Sequence, residues 1–286
     1  MRDGSLRAQN HLVLASAVHR RHDRDPIAPS PRAASAVAAL FVYECDHDGP
    51  RVAFPRPEIQ LVVRFGVNAP GGLDVHAMGV RRVAHRKHIR SGQRTVTARL
   101  RLGATEAVLG APASAIAGRI VALEDLWGDA ATGSLCERLA GARDVNVAAA
   151  ILESTIAERI AGAHGRRAGS RLALEAADLL MSASVNAVAD DLGVSERHLR
   201  RVFRETVGVS PKAFATLTRF HRALRAARED GHGSWASIAA VAGYYDQAHL
   251  IADFRAIAGV TPRALLEELG ADRVYGALSS QRTSGL

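Results

Sequence analysis

A chain of 286 residues, 48% hydrophobic and 23% charged with a formal net charge of +8, holds enough apolar material for two domains with separate cores. Its basic balance asks for an anionic partner. No apolar run approaches the length of a membrane helix and residues 1–30 are rich in Arg and His without a secretory core, so no membrane partner and a cytoplasmic location are expected.

Residues 1–34, with Pro26, Pro29 and Pro31 among many charges, read as a flexible arm. Residues 35–165 change character once, after Gly110. Short runs of β-formers follow one another at Leu40–Tyr43, Ile59–Phe65, Asp74–Met78 and Thr95–Leu102, separated by Gly66, Gly71, Gly72, Gly79 and Gly92; this pattern predicts an antiparallel sheet or barrel. After Gly110 the period turns helical, from Ala113 to Leu139 and from Val145 to Ala161. Arg64 with Arg99 or Arg101 would address an anionic ligand if they pointed inward; the reading in which they face water weighs more. No motif fixes a ligand, so the ligand-binding residues stay unassigned.

The cluster most open to an enzymatic reading is His76, His85 and His88, near Arg81, Arg82, Arg86 and Lys87. His85 and His88 are spaced for one helical turn or a loop, and no nearby carboxylate completes a metal site. A solvated basic loop is the expectation, with no metal ligand and no cofactor. Leu123, Leu126 and Trp127 read as a helix packing on the sheet. Cys45 and Cys136 match neither a zinc pair nor a disulfide framework and read as packing residues. Nucleophile elbows, phosphate-binding glycine loops and the dinucleotide fingerprint are missing, so no catalytic residue is named and no enzyme is expected.

Residues 171–270 say one thing twice. The run from Val194 to Arg204 superposes on that from Tyr245 to Arg255, matching His198-Leu199 with His249-Leu250 and Phe203-Arg204 with Phe254-Arg255. Gly208-Val209-Ser210-Pro211 then falls on Gly259-Val260-Thr261-Pro262 without a gap, while Val188-Ala189 and Gly193 fall on Ile238-Ala239 and Gly243 after a one-residue slip. Repetition at about 50 residues indicates a duplicated unit, here two short helices joined by a glycine turn. In the first copy Gly193 ends one helix and Ser195 caps the next, which buries Leu199, Val202, Phe203 and Val207 and leaves Arg197, Arg200, Arg201 and Arg204 on its other side. From Ser195 to Arg228 there are nine basic residues and two acidic ones, a stripe suited to phosphate. Residues 271–286 are a tail.

On these residues, together with the linking helix Pro211 to Asp230 carrying Phe214, Leu217, Phe220 and Leu224, the segment Arg171 to Leu266 resembles the AraC/XylS family of transcription regulators. The resemblance implies two recognition helices in successive major grooves of double-stranded DNA. It places base reading on Arg197, Arg200 and Arg201, with His198 and Arg204 on the backbone or in support and Ser195 at the helix start. On the second helix it points to Gln247, Ala248, His249 and Ala252, followed by Arg255. Ala252, with Asp253 beside it, departs from the basic or polar residue expected there. The first half looks like the β-rich sensor region found ahead of such domains. The implied fold is α+β, a cupin-like barrel with helices followed by an all-α double helix-turn-helix. The implied function is a DNA-binding regulator under small-molecule control, a homodimer, with RNA polymerase as a further partner. The alternative is a metal-dependent cupin enzyme or metal sensor fused to a DNA-binding unit.

Overall fold

The computed structural model describes residues 26–45, 47–66, 69–162, 168–229 and 234–270. Its first half contains strands β1 (Val37–Glu44), β2 (Gly49–Ala53), β3 (Gln60–Phe65), β4 (Leu73–Met78), β5 (His85–Ile89), β6 (Arg94–Leu100) and β7 (Ile120–Ala122). Between them and after them come α1 (Thr105–Leu109), α2 (Ala113–Ile116), α3 (Glu124–Trp127), α4 (Asp129–Ala140) and α5 (Val145–Gly162). Strands β1, β6, β3, β4 and β7 form one antiparallel sheet in that order, and β2 pairs with β5 in a separate ribbon. Among the described residues no ladder joins the two into a closed cylinder, so the barrel expected from the sequence is, in hydrogen-bonding terms, a sheet and a ribbon.

The runs of β-formers supply β1, β3, β4 and β6. The ribbon has another origin: His85–Ile89 is largely exposed and lacks apolar alternation, and is extended because each residue pairs across to β2, from Gly49 with Ile89 to Ala53 with His85. The basic loop read from the sequence is therefore a strand, and His85 and His88, three residues apart, point to opposite faces. His76 lies in β4, where its Nδ1 meets the Asp74 carboxylate at 2.9 Å. Among the described residues no three His, Cys, Asp or Glu side chains are grouped so as to hold a metal ion. Nor is any described helix long and apolar enough to cross a membrane.

Strand register sorts the main sheet into two faces. One presents Leu40, Val42, Leu61, Val63, Val75, Ala77, Val96 and Ala98, all buried, with α5 packed on β1 and β6. The other is covered as well and is mixed: Ala39, Phe41 and Val62 are buried there beside Thr97 and Arg99, each 6% exposed, and His76, 5% exposed. Of the arginines expected to face water, Arg99 is buried and Arg64 and Arg101 are only partly exposed. Arg64 donates to Asp74 through Nε at 2.7 Å, Arg99 lies 3.9 Å over the Phe41 ring, and Arg101 donates to the Ala34 carbonyl at 2.6 Å. That last contact, the Ile27 bridge to Leu40 and the complete burial of Ala33 show that residues 26–34 pack on the sheet and are not part of an arm. The rest of that arm, the Cys45-Asp46-His47 link at Asp46, the segment 163–167 and the tail 271–286 lie outside the described residues.

The helix expected from Ala113 to Leu139 is interrupted by β7, and Gly118 and Gly128 take φ of +73° and +80° at the breaks. Trp127 nevertheless packs as expected. Its Nε1 donates to the Val108 carbonyl at 3.0 Å, and Arg159 sits 4.4 Å over its ring.

The second half is helical: α6 (Ala168–Leu179), α7 (Val185–Asp191), α8 (Glu196–Val207), α9 (Pro211–Glu229), α10 (Trp235–Ala242), α11 (Gln247–Ala258) and α12 (residues 262–270). Among the described residues it meets the first half through α8, α9 and α11. Near α8, Gly208 at φ +89° lies so close to α2 that a Cβ there would stand 3.1 Å from the Ala113 carbonyl. Beside α11, Ala84 donates to the Ile257 carbonyl at 2.7 Å, while Arg86 of the ribbon donates to the Ala258 carbonyl and pairs with Glu268. On α9, Phe54 meets Phe220 at 5.8 Å and the buried His221 donates from Nε2 to the Pro55 carbonyl at 2.7 Å.

The burial of His221 makes stability pH-dependent. Burial, reinforced by the Arg56 charge, lowers the His221 pKa to about 3. Between the unfolded value near 6.5 and the folded value near 3 the unfolded chain holds one more proton, so stability falls as pH drops through that window. The expected slope is on the order of 1 kcal/mol per pH unit. Denaturant unfolding of the wild type and of His221→Gln at pH 7.5 and 5.5 measures it: the wild type should lose more stability on acidification than the variant.

Candidate nucleic-acid interface

Both helix-turn-helix copies are built by the same local devices. In the first, Ser184 caps α7, the Val194 amide returns to the Ala189 carbonyl across the Gly193 turn, Ser195 caps α8 and Ser210 caps α9. In the second, Ser234 caps α10, the Tyr244 amide returns to the Ala239 carbonyl across Gly243, Asp246 caps α11 and Thr261 bonds the amide of Ala264 in α12. Gly193 and Gly243 take φ of +64° and +84°, a region that an L side chain enters only with strain. The one-residue slip seen in the sequence is located here. Tyr245 is the extra residue between the turn and the second cap, and it is 93% exposed.

Helix α8 follows the predicted division. Leu199, Val202, Phe203 and Val207 are buried, and Arg197, His198, Arg200, Arg201 and Arg204 are exposed. With Ser195, Glu205 and Ser114 of α2, these exposed residues line an open concavity of about 820 Å³. Two of its arginines are held by their own helix: Arg200 pairs with Glu196 and Arg201 with Glu205, each at i,i+4. Their side chains keep 55% and 58% exposure, so these are surface pairs worth at most about 1 kcal/mol, which a phosphate or a guanine edge can displace. The His198 ring nitrogen lies 3.3 Å from Arg201, a supporting position.

Helix α11 keeps the frame and changes the face. Gln247, Ala248, His249, Ala252 and Arg255 are exposed and Ile251 is half-buried, while Leu250, Phe254 and Ile257 are buried. Asp253, which the sequence placed beside Ala252 on the outer face, turns inward instead. Its side chain is 18% exposed, 3.9 Å from Arg219 of α9 and 4.0 Å from His249. Burial raises the Asp253 carboxyl pKa, and burial beside it also pushes the Tyr244 hydroxyl up. His249 stands edge-on to Tyr244 at 5.2 Å, so its ring is packed on one side.

The structure thus brings Ser195, Arg197, His198, Arg200, Arg201 and Arg204 onto one surface, and Gln247, His249 and Arg255 onto the corresponding helix of the second copy. Ser195 acts there as a cap, accepting from the His198 amide at 3.2 Å. Sequence reasoning missed Ser114 and the Tyr244–Asp253–Arg219 cluster. Ser114 carries no local signal, and only the superposition of Asp253 on Val202 marks it as an inward position.

A family model described as a helix-turn-helix domain matches residues 188–268. Among solved structures, ToxT from Vibrio cholerae O395 is 14% identical over 80% of this chain and 97% of that one, with a TM-score of 0.39. Wild-type ToxT from Vibrio cholerae strain SCE256 with unsaturated fatty acid bound is 11% identical over 79% and 94%, with a TM-score of 0.38. No curated protein matches the chain. The matched segment, with its two capped helix pairs and the long helix joining them, is a helix-turn-helix domain.

Proposed function

We propose that the protein is a sequence-specific DNA-binding transcription regulator whose output is set by a small molecule held in its first half. The observation that carries the DNA-binding part is α8: a capped recognition helix with Arg197, Arg200, Arg201 and Arg204 on its exposed side. Arginine donates two hydrogen bonds to guanine O6 and N7, or clamps a phosphate. Residues 171–270 serve as the DNA-binding domain and residues 35–165 as the sensor and pairing domain of a homodimer in the cytoplasm. RNA polymerase is the partner where the output is activation. The control reading is supported by the covered second face of the main sheet, where Thr97, Arg99 and His76 are buried beside Phe41 and Val62, a mixed polar and apolar lining of the kind that holds small molecules. Stabilisation of the full-length chain by an organic metabolite in a melting-shift screen tests that part. A chain that no metabolite stabilises, and whose DNA affinity none alters, counts against control by a ligand.

Replacing Arg200 or Arg201 by alanine should cost roughly 1–3 kcal/mol at the preferred duplex and less on random DNA. Titration of both variants on both duplexes checks this. An unchanged ratio of the two affinities would show that these side chains do not read bases.

Glu205→Gln removes the carboxylate that holds Arg201 in the free protein and an acid beside the phosphates. Affinity for any duplex should rise a few-fold, in keeping with an exposed pair of about 0.2–1 kcal/mol. Fluorescence anisotropy at two salt concentrations measures it. Unchanged binding would mean that Arg201 keeps Glu205 in the complex.

A further inference from the structure

The two recognition helices each start at a side-chain cap, end at a left-handed glycine and bury the same Leu and Phe (Leu199 and Phe203, Leu250 and Phe254), so positions related by the repeat occupy the same place on each helix. Along that register Arg197 corresponds to Ala248, Arg200 to Ile251 and Arg201 to Ala252, whereas Arg204 corresponds to Arg255. Ala248 and Ala252 are exposed and Ile251 is partly so, and Arg204 and Arg255 are both exposed. The second helix has kept the arginine placed for the backbone and exchanged its three central arginines for methyl-bearing side chains.

We infer that α11 selects an A·T-rich half-site, with Ala248 and Ala252 against thymine C5-methyl groups and Gln247 on adenine, while α8 selects guanine. The inference rests on the DNA-binding function proposed above. The chemistry is one of matching. A methyl surface offers no donor to guanine O6 and N7 and no acceptor to the cytosine amino group, so a G·C pair pressed against it would leave base groups unpaired. Thymine presents a methyl of its own, and burying one methyl against another is favourable. Gln247, exposed at the first turn of α11, supplies the bidentate donor and acceptor that adenine N7 and N6 require. Asp253 is turned inward toward Arg219 and therefore puts no carboxylate into the groove to oppose this fit. The binding site of one subunit then has two halves of opposite base composition, in fixed order and about 10 bp apart.

Selection of full-length protein on a randomised duplex library gives the site, and Arg201→Ala marks the half that α8 reads, as the half whose preference it relaxes. Two base analogues then separate the chemistries. Deoxyuridine in place of thymine removes only the C5-methyl, and 7-deazaguanine removes only N7. Deoxyuridine in the α11 half should weaken binding roughly three- to fourfold for each methyl lost, and in the α8 half it should have little effect. The response to 7-deazaguanine should be the reverse. Ala248→Gly should weaken binding to thymine-containing DNA and leave binding to the deoxyuridine duplex nearly unchanged, a coupling that mere loss of helix stability would not give. A selected site with a guanine-rich or indifferent second half, or equal deoxyuridine sensitivity in both halves, overturns the inference while leaving DNA binding intact. In that event the exposed face of α11 belongs to a protein partner. Failure to select any duplex would overturn the proposed function, and this inference with it.

Discussion

The arrangement depends on the burial of Phe220 in the middle of α9. Its ring is fully buried and meets Phe254 of α11 at 4.7 Å and Phe54 of the first half at 5.8 Å. One turn and a half earlier on the same helix, Phe214 meets Phe203 of α8 at 5.3 Å. Phe203 and Phe254 are equivalent in the repeat, so α9 fastens each recognition helix through the same ring. The distance between the two reading surfaces is then set by a rigid helix and not by a loop. Such aromatic pairs contribute about 0.5–1.5 kcal/mol beyond their area, and truncating a buried Phe typically costs 3–5 kcal/mol. Loss of Phe220 would release both the second reading helix and the first half at once.

The same helix reaches the first half. His221, next to Phe220, donates to Pro55, and the charge of Arg99 on the second sheet face is near enough to help lower its pKa. A change at that face therefore has a short physical route to the element that spaces the reading helices. The ribbon supplies a second route. Arg86 reaches the Ala258 carbonyl and Glu268 on one side, while the next residue, Lys87, points to the other side. Lys87, exposed on the ribbon, has its pKa lowered by partial desolvation and by the nearby positive charge of Arg64 in the sheet. A strand with one side on the helices of the second half and the other near the sheet is a two-sided contact, and only a ligand that binds two such arrangements unequally can shift their balance.

What could be read without coordinates was what is encoded locally. The glycine turns, the Ser195 cap and the stripe of Leu199, Val202 and Phe203 depend on neighbours within a few residues, and each stands where periodicity and capping put it. The four strands with β-branched alternation were legible for the same reason. The ribbon was not. His85–Ile89 has the composition of a solvated loop, and only its pairing with β2 makes it a strand. Arg64, Arg99 and Arg101 misled because alternation fixes which side of a strand a residue takes but not what covers that side. The break at β7 was hidden in a stretch whose apolar residues also satisfy a helical period, so only the positive φ at Gly118 and Gly128 separates the two readings.

Asp253 shows how the repeat has diverged without losing its frame. Its equivalent in the first copy is Val202, and the equivalent of Tyr244 is Val194, so a pair of apolar side chains has become a phenol and a carboxylate. An apolar pair packs with no demand on its surroundings, whereas a half-buried carboxylate requires a cation. Arg219 of α9 meets that demand at 3.9 Å, and it also lies 5.5 Å over the Tyr244 ring. The second copy is thereby tied to the linking helix by charge as well as by Phe220. The second copy keeps the apolar core of Leu250, Phe254 and Ile257 but adds the inward cluster of Tyr244, Asp253 and Arg219 and carries alanines outside, where the first copy has Val194 and Val202 inward and arginines outward. Duplication preserved the caps and turns that set the backbone, and the side chains on either side of it were free to change roles.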